Sequence, residues 1–125
     1  MSALLLDSHI FYWYDTGDSR LTPQAVTQIN RASRVCVSAA SIWEMSIKSR
    51  QGKLGLSGSL IRVAQQHGFE LLPVEPLHAE AIAGLPIHHR DPFDHMLIAQ
   101  AQVEGLMLVT HDRILSEYGV PVLLV

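Results

Sequence analysis

Five short apolar runs are spread along the chain, each bounded by polar or turn-forming residues. Four of them occupy residues 4–6, 35–37, 106–109 and 122–125, and the other lies within residues 69–74, where Glu70 and Pro73 interrupt it. Apolar runs of this length, without strict alternation of polar residues, are typical of strands covered on both faces. The pattern predicts five buried strands.

The segments between these runs favour helices. Residues 10–14, an isoleucine followed by four aromatic residues, predict a short buried helical turn. Thr22 followed by Pro23 predicts the start of a helix that continues to about residue 31. Further helices are predicted at residues 41–49, 59–67, 77–83 and 92–104, and the glycine-rich stretch 51–58 predicts a break. Ser41 and Glu44 have the spacing of a capping box for the helix at 41–49.

This alternation of strands and helices predicts a three-layer α/β/α domain with a mostly parallel five-stranded sheet. We expect residues 1–125 to form one domain, since the chain is long enough to bury a full core and too short for two ordinary ones. In such sheets ligands bind beyond the carboxyl ends of the strands.

Acidic residues stand where this topology brings them to one edge of the sheet. Asp7 and Asp112 follow predicted strands, whereas Glu44 and Asp94 lie near the starts of predicted helices that leave the same edge. Each has an ordinary structural explanation as a turn, capping or first-turn acid. Asp91, which precedes Pro92, is the better candidate for the helix N-cap, although both Asp91 and Asp94 could contribute to a site.

A cluster of carboxylates needs protons or a cation. Two carboxylates about 4 Å apart repel by about 4 kcal/mol at an effective dielectric constant near 20. All-oxygen ligands suit Mg²⁺, for which Mn²⁺ can substitute, and the chemistry that follows most naturally is metal-assisted phosphodiester hydrolysis.

Composition adds two expectations. The single cysteine, Cys36, lies in an apolar run, which argues against a secreted disulfide scaffold and indicates a buried strand residue. The N-terminal apolar stretch is too short for a signal peptide or a membrane span, so we expect a cytoplasmic protein. A net charge of −3 is unusual for a nucleic-acid binder, but an acidic site itself contributes about −4.

Four segments, in order, resemble the motif blocks of PIN-domain proteins, specifically VapC-type toxins. They are Leu-Leu-Leu-Asp-Ser-His at 4–9, Val-Ser-Ala-Ala-Ser-Ile-Trp-Glu at 37–44, His-Arg-Asp-Pro-Phe-Asp-His-Met-Leu-Ile-Ala-Gln-Ala at 89–101, and Leu-Val-Thr-His-Asp at 108–112. The resemblance covers essentially the whole chain. It implies a PIN-like fold and an Mg²⁺- or Mn²⁺-dependent endoribonuclease that is the toxic half of a type II toxin–antitoxin pair.

The resemblance also implies roles for individual residues. Asp7 and Asp94 would hold the metal most directly, with Glu44 and Asp112 as the second and fourth acids, and a metal-activated water would attack the phosphorus. Substrate contacts are expected from side chains near these acids, namely Ser8, His9, Lys48, Arg90 and Thr110. The role of His9 is the least certain to carry over from the family, because Asn is common at that position in other members. The implied partners are an RNA substrate, a VapB-type antitoxin that offers a basic side chain to the acids, and a second copy in a homodimer.

Other functions fit the sequence less well. A closed zinc site is disfavoured because the histidines lack the spacing of tetrahedral zinc sites. No Gly-x-Ser-x-Gly elbow supports a serine hydrolase, and the residues after Asp7 and the late strand fit neither an aspartyl phosphatase nor a receiver domain. The aromatic residues Phe11, Trp13, Trp43 and Phe93 are expected to pack in the core rather than to stack on bases. The main alternative is a non-catalytic PIN-like protein-interaction module, with residues 40–66, including Leu54, Leu56 and Leu60, as a possible docking groove.

Overall fold

The computed structural model describes residues 2–125 and contains a five-stranded, all-parallel sheet. The strands are β1 (Ala3–Leu6), β2 (Arg34–Ser38), β3 (Glu70–Leu72), β4 (Met107–Thr110) and β5 (Val122–Leu124). Their order across the sheet is β3-β2-β1-β4-β5. The five predicted strands and the parallel arrangement are therefore confirmed, but the edge strands β3 and β5 are only partly buried, so the prediction that all five are covered on both faces is wrong for these two.

Six α-helices connect the strands in the described part of the chain. They are α1 (Ser8–Thr16), α2 (Pro23–Arg31), α3 (Ala39–Arg50), α4 (Leu60–Gln66), α5 (Pro76–Ala81) and α6 (Pro92–Glu104). Two 3₁₀ helices, Ile82–Gly84 and Arg113–Tyr118, follow α5 and β4. No helix within residues 2–125 is long and apolar enough to cross a membrane.

The core lies in two layers, one on each face of the sheet. Leu4 and Leu6 of β1 pack with residues of α1 to α4, whereas Leu5 packs with residues of α6 and the second 3₁₀ helix. This alternation follows from the two-residue period of a strand. Cys36 is fully buried on the α6 side, as its apolar run predicts. The three-layer α/β/α prediction is confirmed.

The start of α3 differs from the prediction. Ser38, at the end of β2, is the N-cap, and its side chain accepts a hydrogen bond of 3.0 Å from the backbone N–H of Ala40. Ser41 lies inside the helix, is buried, and its hydroxyl has no hydrogen-bond partner. The predicted capping box is therefore wrong, because the helix begins at the strand end and leaves the Glu44 carboxylate free for another partner.

Candidate metal centre

Asp7 lies at the junction of β1 and α1, beyond the carboxyl end of the central strand. Its Oδ1 accepts from the backbone N–H of Ile10 at 2.9 Å, so the side chain caps α1. Its Oδ2 accepts from the hydroxyl of Thr110, the last residue of β4, at 2.5 Å. Because β1 and β4 are paired neighbours, this bond locks the carboxylate to the edge of the sheet.

Glu44 projects from α3 toward the same place. It is buried, its Oε1 accepts from the Ser8 hydroxyl at 2.6 Å, and its Oε2 lies 3.1 Å from Nζ of Lys48, one turn further along the helix. Ser8 follows Asp7 directly, so this hydrogen bond joins the second acid to the first.

Asp94 lies in the first turn of α6. Asp91 is the N-cap, as predicted, and accepts from the backbone N–H groups of Phe93 and Asp94 at 2.9 and 3.2 Å. The carboxylate of Asp94 is not needed for capping, and its Oδ2 lies 3.2 Å from Nε2 of His89.

Asp112 follows β4 and is the most exposed of the four acids. Its Oδ1 accepts from the backbone N–H of Ile114, which caps the second 3₁₀ helix, and its own N–H donates to the Thr110 hydroxyl at 3.0 Å. Thr110 thus contacts both the first and the fourth acid.

The four predicted acids line one cleft of about 140 Å³, together with Ser8, His9, Lys48 and Asp91. Arg90 lies elsewhere: it lines a separate pocket of about 490 Å³ with His89 and His95. Thr110 is fully buried beneath the acids rather than open to the cleft. Arg90 and Thr110 therefore remain substrate contacts by prediction only.

Negative charge is poorly compensated in this cleft. Its lining holds five carboxylates, and Lys48 is the single permanent cation among those residues. The pKa of Asp7 is raised, mainly because the carboxylate is buried and to a smaller extent because Glu44 repels it. Hydrogen bonds from Thr110 and Ile10 lower the pKa but do not offset the burial. Burial, and then repulsion from Asp91, raise the pKa of Asp94 to about 6. A bound cation would relieve both effects.

The donors suit a hard divalent ion, but they are engaged with protein groups as they stand. Within residues 2–125, no group of three or more His, Cys, Asp or Glu side chains is arranged to hold a metal ion. Glu44 is bonded to Ser8 and Lys48, and Asp94 to His89. The residues fit the ion in chemistry and charge, and binding would require some of these partners to be exchanged.

A hydrogen-bonded cluster of histidines around Tyr118 supports Asp94. The Tyr118 oxygen lies 2.6 Å from Nδ1 of His89 and 3.2 Å from Nε2 of His95, and it accepts from the backbone N–H groups of His88 and His89. In the neutral tautomer whose Nε2–H donates to Asp94, Nδ1 of His89 accepts a hydrogen bond from the Tyr118 hydroxyl. Tyr118 was not among the predicted site residues, because no local pattern connects it with residues about 25 positions earlier.

One expectation about aromatic residues changes, and the leucines of the possible docking groove are partly buried. Phe11 and Trp13 are buried as predicted, but Trp43 is 63% exposed and meets Phe93 edge-on with ring centroids 5.0 Å apart. Its prediction as a core residue is wrong. Leu56 and Leu60 line a cavity of about 340 Å³ next to the glycine-rich loop, and both pack partly against the core, as does Leu54.

Fold and cleft together define a small α/β/α protein with an acidic site at the carboxyl edge of a parallel sheet. The chain belongs to the PIN-domain family, whose model matches residues 4–121. It is 31% identical over 124 residues to Ribonuclease VapC22 of Mycobacterium tuberculosis (strain ATCC 25618 / H37Rv), covering 97% of this chain and 95% of that protein. These matches confirm the resemblance to PIN-domain and VapC proteins.

Solved structures show the same fold at lower identity. The DNA-bound VapBC complex from Salmonella typhimurium contains a chain with a TM-score of 0.64 and 20% identity, with 98% of each chain covered. FitAcB from Neisseria gonorrhoeae gives a TM-score of 0.64 at 19% identity, with 95% of each chain covered.

Proposed function

We propose that this protein is a divalent-metal-dependent endoribonuclease of the VapC type, the toxic component of a type II toxin–antitoxin pair. The observation that carries the proposal is the convergence of Asp7, Glu44, Asp94 and Asp112, from four separate segments, on one cleft. The 31% identity to Ribonuclease VapC22 supports RNA as the substrate.

Asp7 and Asp94 would hold the ion, with Glu44 and Asp112 beside them. The ion, Mg²⁺ with Mn²⁺ as a substitute, would activate water and neutralise charge at the phosphate. The protein's own contribution is to hold oxygen ligands in a buried, negatively charged cleft whose field favours the ion. No protein nucleophile is required.

The hydroxyl groups and Lys48 act around the acids. Ser8 and Thr110 donate to Glu44 and Asp7, so we assign them a positioning role for those carboxylates. Lys48 is about one-third exposed and could exchange its contact with Glu44 for a phosphate oxygen. His9 is exposed at the rim and available to the substrate.

The proposal includes the partners and the setting. Similarity to chains of VapBC complexes supports a VapB-type antitoxin, and the ion pair of Lys48 with Glu44 illustrates how a basic side chain could satisfy the acids. A homodimer, a cytoplasmic location and a single domain over residues 1–125 belong to the same proposal.

One observation favours the alternative of a non-catalytic interaction module. The acids are paired with protein groups rather than arranged as a ready ligand set within residues 2–125. In that alternative the cleft would receive a basic partner and RNA would not be cleaved.

Cleavage of a cellular RNA pool by antitoxin-free protein separates these functions. We expect discrete fragments from the wild type with Mg²⁺ or Mn²⁺, loss of the fragments with EDTA, and their return when excess Mg²⁺ is restored. The variant carrying both Asp7→Asn and Asp94→Asn should be inactive, whereas Glu80→Gln, which changes an exposed acid of α5, should match the wild type. Equal patterns in all lanes would reject the nuclease and favour the interaction module.

A further inference from the structure

A second cleft opens beside the acids. It has a volume of about 450 Å³ and is lined by Asp7, His9, Trp13, Arg20, His111 and Asp112. Asp7, His9 and Asp112 also line the acidic cleft, so the two are continuous. A substrate whose phosphate lies at the acids would therefore extend into this space.

The lining of the second cleft is built on Trp13. Its indole is 6% exposed, so it serves as a fixed base rather than as an open surface. His9, one helical turn earlier in α1, stacks on it with ring centroids 5.7 Å apart and an interplanar angle of 29°. His111, just beyond β4, meets it edge-on at 5.3 Å. Two elements thus present imidazole rings at the same cleft.

Arg20 adds a fixed cation. Its guanidinium carbon lies 4.8 Å from the Trp13 ring centroid, and its Nε and Nη2 atoms donate to both oxygens of Asp18 at 3.0 and 2.7 Å. The Arg20 side chain is nevertheless 64% exposed. Asp18 uses the Nε–H and one Nη2–H, which leaves N–H groups of the guanidinium free to bind an anion.

These groups match the chemistry of a nucleotide. Single-stranded RNA is recognised by stacking of unpaired bases on histidine rings or arginine planes, while cations contact the phosphates. A cleft of this size, with two imidazole rings and one partly free guanidinium beside the acids, is suited to one nucleotide.

We propose that the cleft of His9, Trp13, Arg20 and His111 binds one nucleotide of single-stranded RNA adjacent to the phosphate that is cleaved. Arg20 contacts the backbone phosphate of that nucleotide, and the rings of His9 and His111 provide the stacking surface. The inference rests on the proposed function, because it takes the acidic cleft as the place of cleavage.

The test is a binding measurement that does not need turnover. A fluorescein-labelled single-stranded RNA 12-mer of random sequence is titrated with protein carrying Asp94→Asn, in Mg²⁺, and its fluorescence anisotropy is followed. Arg20→Gln in this background should weaken binding about threefold to tenfold and lower the slope of log affinity against log salt by about 0.7, the value for one lost contact to a single strand. His9→Ala should weaken binding with little change in that slope.

Arg62→Gln is the matched control. Arg62 is exposed on α4, which packs on the edge strand β3, away from the cleft between β1 and β4. It should bind RNA like its parent. Arg20→Lys should keep the salt slope but recover only part of the affinity, because lysine lacks the planar surface. In the otherwise unmodified enzyme, Arg20→Gln should raise KM more than it lowers kcat.

The outcomes separate this inference from the proposed function. Equal RNA affinity for Arg20→Gln and Arg62→Gln would overturn the nucleotide cleft even if the enzyme cuts RNA. A loss of RNA binding confined to Arg20→Gln and His9→Ala would support the cleft even if the wild type failed to cleave.

Discussion

At the scale of single residues, Asp94 illustrates how a site for a cation destabilises the metal-free protein. Burial and the neighbouring Asp91 raise its pKa to about 6 from an ordinary value of 3.8. The folded state therefore binds the proton more tightly than the unfolded chain does. Between about pH 4 and pH 6 the stability from this group falls as pH rises, and it stays low above pH 6.

Asp94→Asn should consequently stabilise the metal-free protein at neutral pH. A pKa raised from 3.8 to about 6 corresponds to about 3 kcal/mol at most, and partial exposure of the side chain reduces the expected gain to about 1–2 kcal/mol at pH 7.5. Urea unfolding in EDTA at pH 4 and pH 7.5 measures the gain, which should largely vanish at the lower pH. A variant less stable than the wild type at pH 7.5 would contradict the assignment, and Glu80→Gln serves as the control.

Tyr118→Phe tests the cluster that supports Asp94. The substitution removes a buried oxygen that accepts from two backbone N–H groups and contacts the rings of His89 and His95. Leaving those groups unpaired should cost about 1–3 kcal/mol in unfolding free energy. Tyr12→Phe, which removes an exposed hydroxyl that donates to the Gly55 carbonyl, should cost less. If urea unfolding gives the same loss of unfolding free energy for both variants, the Tyr118 hydrogen bonds stabilise the protein no more than an exposed one does.

At the scale of elements, the ends of α6 show what a local sequence can determine. Asp91 followed by Pro92 begins the helix and Gly105, with φ of +69°, ends it, so the bounds agree with the predicted range 92–104. Capping chemistry is local, so these bounds were predictable. The start of α3 was not, because Ser38 and Ser41 are both acceptable caps by sequence and only the end of β2 selects between them. The second 3₁₀ helix lacks any periodic signal.

Gly105→Ala measures the importance of that helix end. No atom lies within 4 Å of the position a Cβ would occupy, so the change creates no clash and its effect comes from the positive φ alone. We expect a loss of about 1 kcal/mol in unfolding free energy. Gly84→Ala, at a position that is equally open but has no positive φ, should be close to neutral. If the two variants lose the same stability, the conformational explanation is wrong.

At the scale of the whole molecule, the convergence of the four acids on one cleft was predictable because topology decides it. Asp7 and Asp112 were assigned to strand ends, and parallel pairing of β1 with β4 brings those ends together. The hydrogen-bond partners of the acids were not predictable. Tertiary packing between elements far apart in sequence decides these partners. It brings Glu44 to Ser8, and it brings Tyr118 to His89. It also leaves Glu44 within reach of Lys48.

Mn²⁺ should stabilise the folded protein through this site. At a free concentration 100 times its dissociation constant, an ion that binds only the folded state adds about 2.7 kcal/mol, which thermal unfolding detects as a higher Tm. The variant with both Asp7→Asn and Asp94→Asn should lose this gain, whereas Glu80→Gln should retain it. An undiminished rise in Tm for the double variant would place the ion elsewhere.

Whether the acids from separate elements act as one catalytic centre is tested most directly by the rate of RNA cleavage. Single-turnover rates should be compared for the wild type, Asp7→Asn, Asp94→Asn and the double variant in Mg²⁺. Residues that act as one unit are strongly non-additive, so each single variant should lose at least about 100-fold and the double variant little more. Single variants that retain most of the wild-type rate, or losses that simply multiply in the double variant, would contradict a single centre.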